Sequence, residues 1–384
     1  MESNPVLEFW NALDEPLASL LAQGFTGRTH LLKIARAALG TGEPGFNPLA
    51  IDALVTAFAE SPLDGVFAGQ LLAAPEVAGL LPEDTRTALL AVKEGWREPR
   101  SAEYLNRLSL GKDIPRIKRF IERQAASDPE NLFWSSKALF LLVDNDPDWV
   151  DSLLPNVTEG PLGHALVTAR EQVGRFRGDS CDPDSMERAA GNTYGNWSSL
   201  HGGLRLASEG HRDEAVLWLL QAFSHAPWNA GLLLRLHDLL GAVDVERSAL
   251  PGRICVMLYS WNKCDDLDAT LASLYGADSD PDLMVLDNGS TDGSDTVLDM
   301  WQERFNARRE GAFERVTLPV NVGAAAARNW LRHAALRKEY DFLCYLDDDV
   351  ALPKDWLETL GAAVERYPER RCGAARWWIT PTRS

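Results

Sequence analysis

ICVMLYSW, residues 254–261, is the first stretch of this chain that reads as a β-strand. It is almost wholly apolar and rich in strand-favouring residues, which suits a strand buried on both faces. Nothing before Arg253 alternates as a half-buried strand would, and Pro251-Gly252 interrupts the helical pattern just ahead of it. Beyond it, strands and helices take turns. A helix is expected from near Asp265, with Leu267, Leu271 and Leu274 on one side. The strand LMVLD and a helix carrying Val297, Leu298, Trp301 and Phe305 come next. A short strand RVTL, an alanine-rich helix from about Gly323, the strand FLCYL, a helix from Pro353 and a strand-like CGAARWWI complete the series. Such alternation predicts a mostly parallel, Rossmann-like α/β sheet, whose ligands bind beyond the carboxyl ends of the strands.

The residues just after the apolar runs are polar in four successive cases. They are Ser260-Trp261-Asn262, then Asp287-Asn288-Gly289-Ser290-Thr291-Asp292-Gly293-Ser294, then Pro319-Val320-Asn321-Val322-Gly323, and finally Asp347-Asp348-Asp349. Any one of these reads equally well as a turn or a helix cap, since Asn, Asp, Gly and Ser are the usual residues there. Four at consecutive strand ends are consistent with one shared site.

The last of them, YLDDDV, holds three adjacent carboxylates. If strand geometry persisted through them, Asp347 and Asp349 would share a face about 6.6 Å apart. At an effective dielectric of about 20 two unit charges would then repel by roughly 2.5 kcal/mol. A divalent cation would reverse that sign. Mg²⁺ or Mn²⁺ takes oxygen ligands and commonly keeps only one or two protein carboxylates, leaving room for phosphates and water. The simpler reading is a solvated turn in which Asp349 or Asp355 helps to cap the next helix.

The strand ICVMLYSWN, the block VLDNGSTDGS, the block NVGAAAARN and the D-x-D element YLDDDV occur together in this order. In these motifs Arg253 to Thr380 resembles the nucleotide-binding half of family 2 glycosyltransferases with the GT-A fold. The resemblance covers about a third of the chain and says nothing of the rest. It implies a metal-dependent transfer of a sugar from a nucleotide-sugar donor to an acceptor hydroxyl, with inversion, Mg²⁺ or Mn²⁺ being the cofactor. It also implies roles for individual residues. Ser260, Trp261 and Asn262 would lie beside the base and ribose. Asp287 would accept from the pyrimidine or ribose, with Asn288 and Ser290 shaping that loop. Asn321, Gly323, Arg328 and Asn329 would border the diphosphate or the sugar, where a helix opening at small residues lets backbone N–H groups approach phosphate. Asp347 and Asp349 would contact the metal, and Asp348 the donor sugar. For Arg328 a surface salt bridge is the competing reading.

The catalytic base has no candidate. In the family it lies downstream, on the acceptor side, whereas the chain ends 35 residues after Asp349. Glu358, Glu365 and Glu369 read as solvated helix residues. RWWITPTRS reads as a strand entering a missing region, so the expectation is either a fragment of a longer enzyme or a shortened homologue.

The first two thirds read as helices: LLKIARAAL, AIDALVTAFA, TRTALLAVKEGW, RIKRFIERQAA and LFWSSKALFLLV carry apolar residues three and four apart between Pro, Gly and Asp-Pro breaks. Within residues 199–241, Gly203, Ala215, Ala222 and Pro227 fall at tetratricopeptide spacings, where small residues let two helices approach and Pro ends the second. The resulting organisation is an all-α domain over 1–248, repeat-like or an ordinary bundle, a linker at 249–252, and the α/β domain over 253–384.

A formal charge of −18 argues against nucleic acid or an anionic membrane as the main partner. Five cysteines without paired spacing (Cys181, Cys255, Cys264, Cys344 and Cys372) suit free thiols in a reducing cytoplasm. No apolar run reaches membrane-spanning length. The expected partners are therefore a nucleotide sugar, a glycan, lipid or protein acceptor, and a protein recruited by the helical domain. A non-catalytic scaffold that retains the donor-binding fold is the alternative. A nucleotidyltransferase would want a Gly-rich loop after the first strand, which Ser260-Trp261-Asn262-Lys263-Cys264 does not offer. A dinucleotide-binding dehydrogenase would want G-x-G-x-x-G.

Overall fold

The structure, a computed structural model, describes residues 5–24, 27–179 and 193–368. Cys181, Cys372, Glu369 and the strand expected at CGAARWWI lie outside them. The chain divides into two compact units, Met1–Gly241 and Ala242–Ser384.

The first unit is helical throughout its described residues. Asp and Asn start many of its helices: Asp14, Asp64, Asp113, Asn131, Asp146 and Asn229 each accept a hydrogen bond from a backbone N–H of the first turn. These caps satisfy donors that have no partner inside the helix, which is why the Asp-Pro break at residue 146 opens a helix. Helices α1 (Asn47–Ala59), α2 (Leu132–Leu142) and α3 (Gly160–Arg177) contribute to one large apolar core that includes Phe58, Phe133 and Trp134. Helices α4 (Gly195–Ser208), α5 (Arg212–His225) and α6 (Ala230–Leu240) form the helical series expected at 199–241. Gly203 faces α5 so closely that a Cβ there would lie 2.7 Å from Leu219 Cγ. Ala215 and Ala222 are fully buried.

The second unit is an α/β/α sandwich. Its strands β1 (Ile254–Ser260), β2 (Asp282–Asp287), β3 (Phe313–Thr317) and β4 (Phe342–Leu346) form one parallel sheet in the order β3-β2-β1-β4. Parallel neighbours need crossovers, and the helices supply them. On one face Val256, Leu258, Leu283 and Val285 pack with α7 (Cys264–Tyr275), α8 (Ser294–Arg308) and α10 (Trp356–Arg366). On the other, Cys255, Met257, Met284 and Leu286 pack with Ala327, Leu331 and Ala335 of α9 (Ala324–Ala335). The central strands β1 and β2 are thus covered on both sides, as their unbroken apolar runs require.

Two boundaries differ from expectation. The linker expected at 249–252, and Ser248 just before it, belong to the second unit: the Ser248 N–H donates to the Glu358 carbonyl at 3.0 Å and Leu250 packs on the core. A Cβ on Gly361 would run into the Ser248 carbonyl oxygen, so glycine is what lets this segment lie on α10. Helix α10 begins at Trp356 rather than Pro353, and Asp355 pairs with Arg247 at 2.6 Å without capping it.

Candidate active site at the strand ends

In this sheet the chain steps outward from β1 to β2 to β3 and then returns to the other side of β1 for β4. The carboxyl ends of β1 and β4 are therefore neighbours at the point where the strand order reverses, the position outside which such sheets bind ligands. The acid triplet lies there. Strand geometry stops at Leu346 and Asp348-Asp349 form a turn, so the carboxylates do not share one face as an extended strand would make them. Asp348 points inward: it is only 9% exposed and accepts from Ser260 Oγ at 2.7 Å. Asp349 accepts from Lys263 Nζ at 2.7 Å, and the same ammonium is 3.4 Å from Asp348 Oδ1. Asp347 accepts from the Arg328 guanidinium at 2.7 Å, which lies 5.3 Å over the Tyr259 ring. The hydrogen bond to Asp349 is the main reason the Lys263 pKa is raised, so this ammonium is firmly charged near neutrality.

The turn is fixed from beneath. Fully buried Thr270, on α7, donates to the carbonyls of Asp348 and Val350 at 3.0 Å and accepts from the Val350 N–H at 3.1 Å.

The loops after β2 and β3 are joined to the same edge. Buried Asp287 accepts from the Ser290 N–H at 2.9 Å and lies 3.7 Å from the Arg315 guanidinium. Ser290 Oγ accepts from the Asn262 N–H at 3.0 Å, and Asn262 Oδ1 accepts from the Thr291 N–H at 2.7 Å. Asn262 occupies the left-handed region at φ 52°, which asparagine tolerates better than most residues. Asn288, 1% exposed, donates to Asn321 Oδ1 at 3.0 Å and accepts from the Val322 N–H at 3.0 Å. Asn321 Oδ1 also accepts from the Gly323 N–H at 2.7 Å, at the start of α9. Burial raises the Asp292 pKa, but hydrogen bonds from Ser294 and the Cys264 N–H outweigh it and lower the group overall.

Of the residues singled out from sequence, Ser260, Asn262, Asp287, Asn288, Ser290, Asn321, Gly323, Arg328, Asp347, Asp348 and Asp349 thus form hydrogen-bonded groups at adjacent strand ends. Trp261 and Asn329 are exposed and make no hydrogen bond to them among the described residues. Lys263, Thr270, Tyr259 and Arg315 join these groups without a local signal in the sequence. Lys263 follows Asn262 directly, yet its acidic partners lie more than eighty residues on, a distance over which neither composition nor periodicity carries a signal.

Among the described residues no three His, Cys, Asp or Glu side chains converge as a ready-made metal site. The donor chemistry nonetheless fits a hard cation sharing its shell with a ligand. Asp347 and Asp349 are half-exposed carboxylates whose present partners, Arg328 and Lys263, are long and more than 40% exposed, so they can swing aside.

Residues 255–379 match the family model for glycosyl transferase family 2. The match lies within the second unit and covers less than half of the chain. No curated protein matches the chain. Among solved structures, the mannosyltransferase PcManGT from Pyrobaculum calidifontis, in complex with GDP-Man and Mn²⁺, matches with 22% identity and a TM-score of 0.26 over 39% of this chain and 42% of that one. The chain spans less than half of that protein's length. Within the residues matched by the family model, the strand-end residues above lie at the carboxyl edge of the sheet, the edge at which parallel α/β sheets bind ligands. Among the described residues no helix is long and apolar enough to cross a membrane.

Proposed function

We propose that the second unit transfers a sugar from a nucleotide-sugar donor to an acceptor hydroxyl, with inversion and with Mg²⁺ or Mn²⁺. The observation that carries this reading is that, inside the family 2 segment, the adjacent ends of β1 and β4 bring Ser260 and Lys263 together with Asp348 and Asp349. Asp347 and Asp349 would hold the cation, which would offset charge developing on the departing diphosphate. Lys263 and Arg328, released from the carboxylates, would turn to the phosphates. Asn262 and Ser290, with Asp287, would bound the base and ribose; Trp261, exposed beside them, would offer a stacking face. Asn288 and Asn321 would hold the loops in register, Gly323 would open α9 toward phosphate, and Asn329 would face the sugar. Asp348, fixed by Ser260, would orient the donor sugar. No residue here is nominated as the base.

The helical unit would recruit a protein partner or the acceptor, which could be a glycan, lipid or protein. Free Cys255, Cys264 and Cys344 suit a reducing cytoplasm. A second reading, a donor-binding scaffold without turnover, draws support from the acid turn being neutralised already by the protein's own cations. Metal-dependent hydrolysis of a nucleotide sugar would favour the enzyme over the scaffold. For the site itself, calorimetry across UDP, GDP and dTDP with and without Mn²⁺ is the direct test. Asp349→Ala should weaken Mn²⁺-dependent binding by more than tenfold, at least about 1.4 kcal/mol; equal affinity for variant and parent would reject the assignment.

A further inference from the structure

The helical unit contains a cavity of about 640 Å³, within the range of small-molecule sites. It lies between the turn after α1, the faces of α2 and α3, and the start of α4. Trp96, Phe133, Phe140, Phe176 and Trp197 contribute rings to its walls, among charged and aliphatic residues. Phe140 leaves 77% of its surface exposed, unusual for so large an apolar side chain.

The charged groups around this cavity are unequally satisfied. Glu60 accepts from Trp197 Nε1 at 2.8 Å and lies 3.4 Å from His201 Nε2. Asp64 pairs with Arg28 at 2.9 Å. Glu171, behind the wall on α3, accepts from Ser198 Oγ at 2.6 Å. Arg175 and Lys137, by contrast, make no hydrogen bond or ion pair among the described residues. The Arg175 guanidinium lies 5.6 Å over Trp197, with Glu60 and Glu171 near enough to act on its charge without a hydrogen bond, and the Lys137 ammonium lies 5.4 Å over Phe133. Arg175 is exposed to solvent through the cavity it lines. Of the lining carboxylates Glu60, Asp64 and Glu98, exposed Glu98 makes no hydrogen bond or ion pair among the described residues, while Glu60 also acts on the charge of Arg175.

We infer that this cavity binds a small organic anion with a flat apolar body, its charged group on Arg175 and Lys137 and its body against the aromatic wall. A guanidinium is weakly hydrated, and its planar fork pairs with carboxylate or sulfonate through two parallel hydrogen bonds. Aromatic walls favour the body through area removed from water. The inference concerns the helical unit and does not depend on transferase activity.

Two fluorescent probes that share a ring body separate charge recognition from simple burial. One is 8-anilinonaphthalene-1-sulfonate, an anion; the other is N-phenyl-1-naphthylamine, its uncharged counterpart. Titrated into the full chain, the anion should bind at least fivefold tighter than the neutral probe. Arg175→Gln should weaken the anion by at least fivefold and leave the neutral probe unchanged, with Lys137→Gln doing the same to a smaller degree. Thermal melting shows whether each variant is folded; should Arg175→Gln not be, Lys137→Gln decides alone. Equal affinity for the two probes, or unchanged anion affinity in the folded variants, overturns the inference.

Discussion

Lys263→Met is the substitution that most sharply tests the proposed cation site, because it removes the charge that now occupies Asp349 while keeping most of the stem. The ammonium lies 2.7 Å from Asp349 Oδ2 and 3.4 Å from Asp348 Oδ1. At about 3 Å, Coulomb's law gives roughly 1.4 kcal/mol in water and about 5.5 kcal/mol at an effective dielectric of 20. Lys263 is 41% exposed and Asp349 50%, so solvent screening and side-chain entropy bring the net worth of the pair to about 0.5–1 kcal/mol. A divalent ion that takes Asp349 must displace the ammonium, and it does so against that free energy. Removing the competitor should therefore tighten Mn²⁺ binding by up to about fivefold, about 1 kcal/mol; loss of the neighbouring positive charge acts in the same direction. The assay is titration of free Mn²⁺ by electron paramagnetic resonance, without nucleotide. Lys263→Met combined with Asp349→Ala should bind no better than Asp349→Ala alone, since the gain acts through that carboxylate. Mn²⁺ affinity that is unchanged or weaker in Lys263→Met would refute the reasoning, whatever the nucleotide then does.

Gly289 holds φ at 78°, and a Cβ there would lie 2.7 Å from the Val320 carbonyl carbon; Gly289→Ala should lower unfolding free energy by more than about 1 kcal/mol, and parental stability in urea would contradict the close approach of the two loops. Thr270→Val keeps the shape but leaves buried backbone groups at Asp348 and Val350 without their partner; a loss of about 1–3 kcal/mol is expected in the same assay, together with weaker nucleoside diphosphate binding. Burial pushes the Glu171 carboxyl from 4.5 up to about 7, with Ser198 opposing. Its pKa is raised by folding, so its stabilising contribution is complete below about pH 4.5 and is lost as pH rises through about 7. Glu171→Gln should therefore gain stability relative to the parent between pH 5 and pH 8, measured by denaturant unfolding at each pH; a constant difference across that interval would show that Glu171 does not titrate there.

How far the sequence discloses this molecule depends on the range of the interaction concerned. The strand at 254–260 is legible because burial on both faces leaves an unbroken apolar run, and the small residues Gly203, Ala215 and Ala222 are legible because two neighbouring helices must meet there. Polar loops after each strand point to one edge of the sheet for the same local reason. The packed segment before β1 is not legible: Pro251-Gly252 looks like a break, and only Gly361, more than a hundred residues later, makes room for Ser248. Lys263 illustrates the same limit at the site, its partners being set by how β4 returns beside β1.

The three adjacent aspartates show what that limit means physically. Read along the chain, they form a concentration of like charge that asks for a metal. In the fold they diverge, Asp348 toward a buried hydroxyl, Asp349 toward Lys263 and Asp347 toward Arg328. The protein's own cations therefore do in the free state what a divalent ion would do in the complex, and both sets of charge lie at one sheet edge. If a diphosphate and its cation arrive together, the ammonium and guanidinium lose carboxylates and gain phosphates, so no charge need be left unpaired on either side of the exchange. That symmetry predicts mutual dependence: Mn²⁺ should bind more tightly with nucleoside diphosphate present, and the diphosphate more tightly with Mn²⁺, by the same factor. Independent binding of the two in calorimetry would mean that the carboxylates and the phosphates never share a cation.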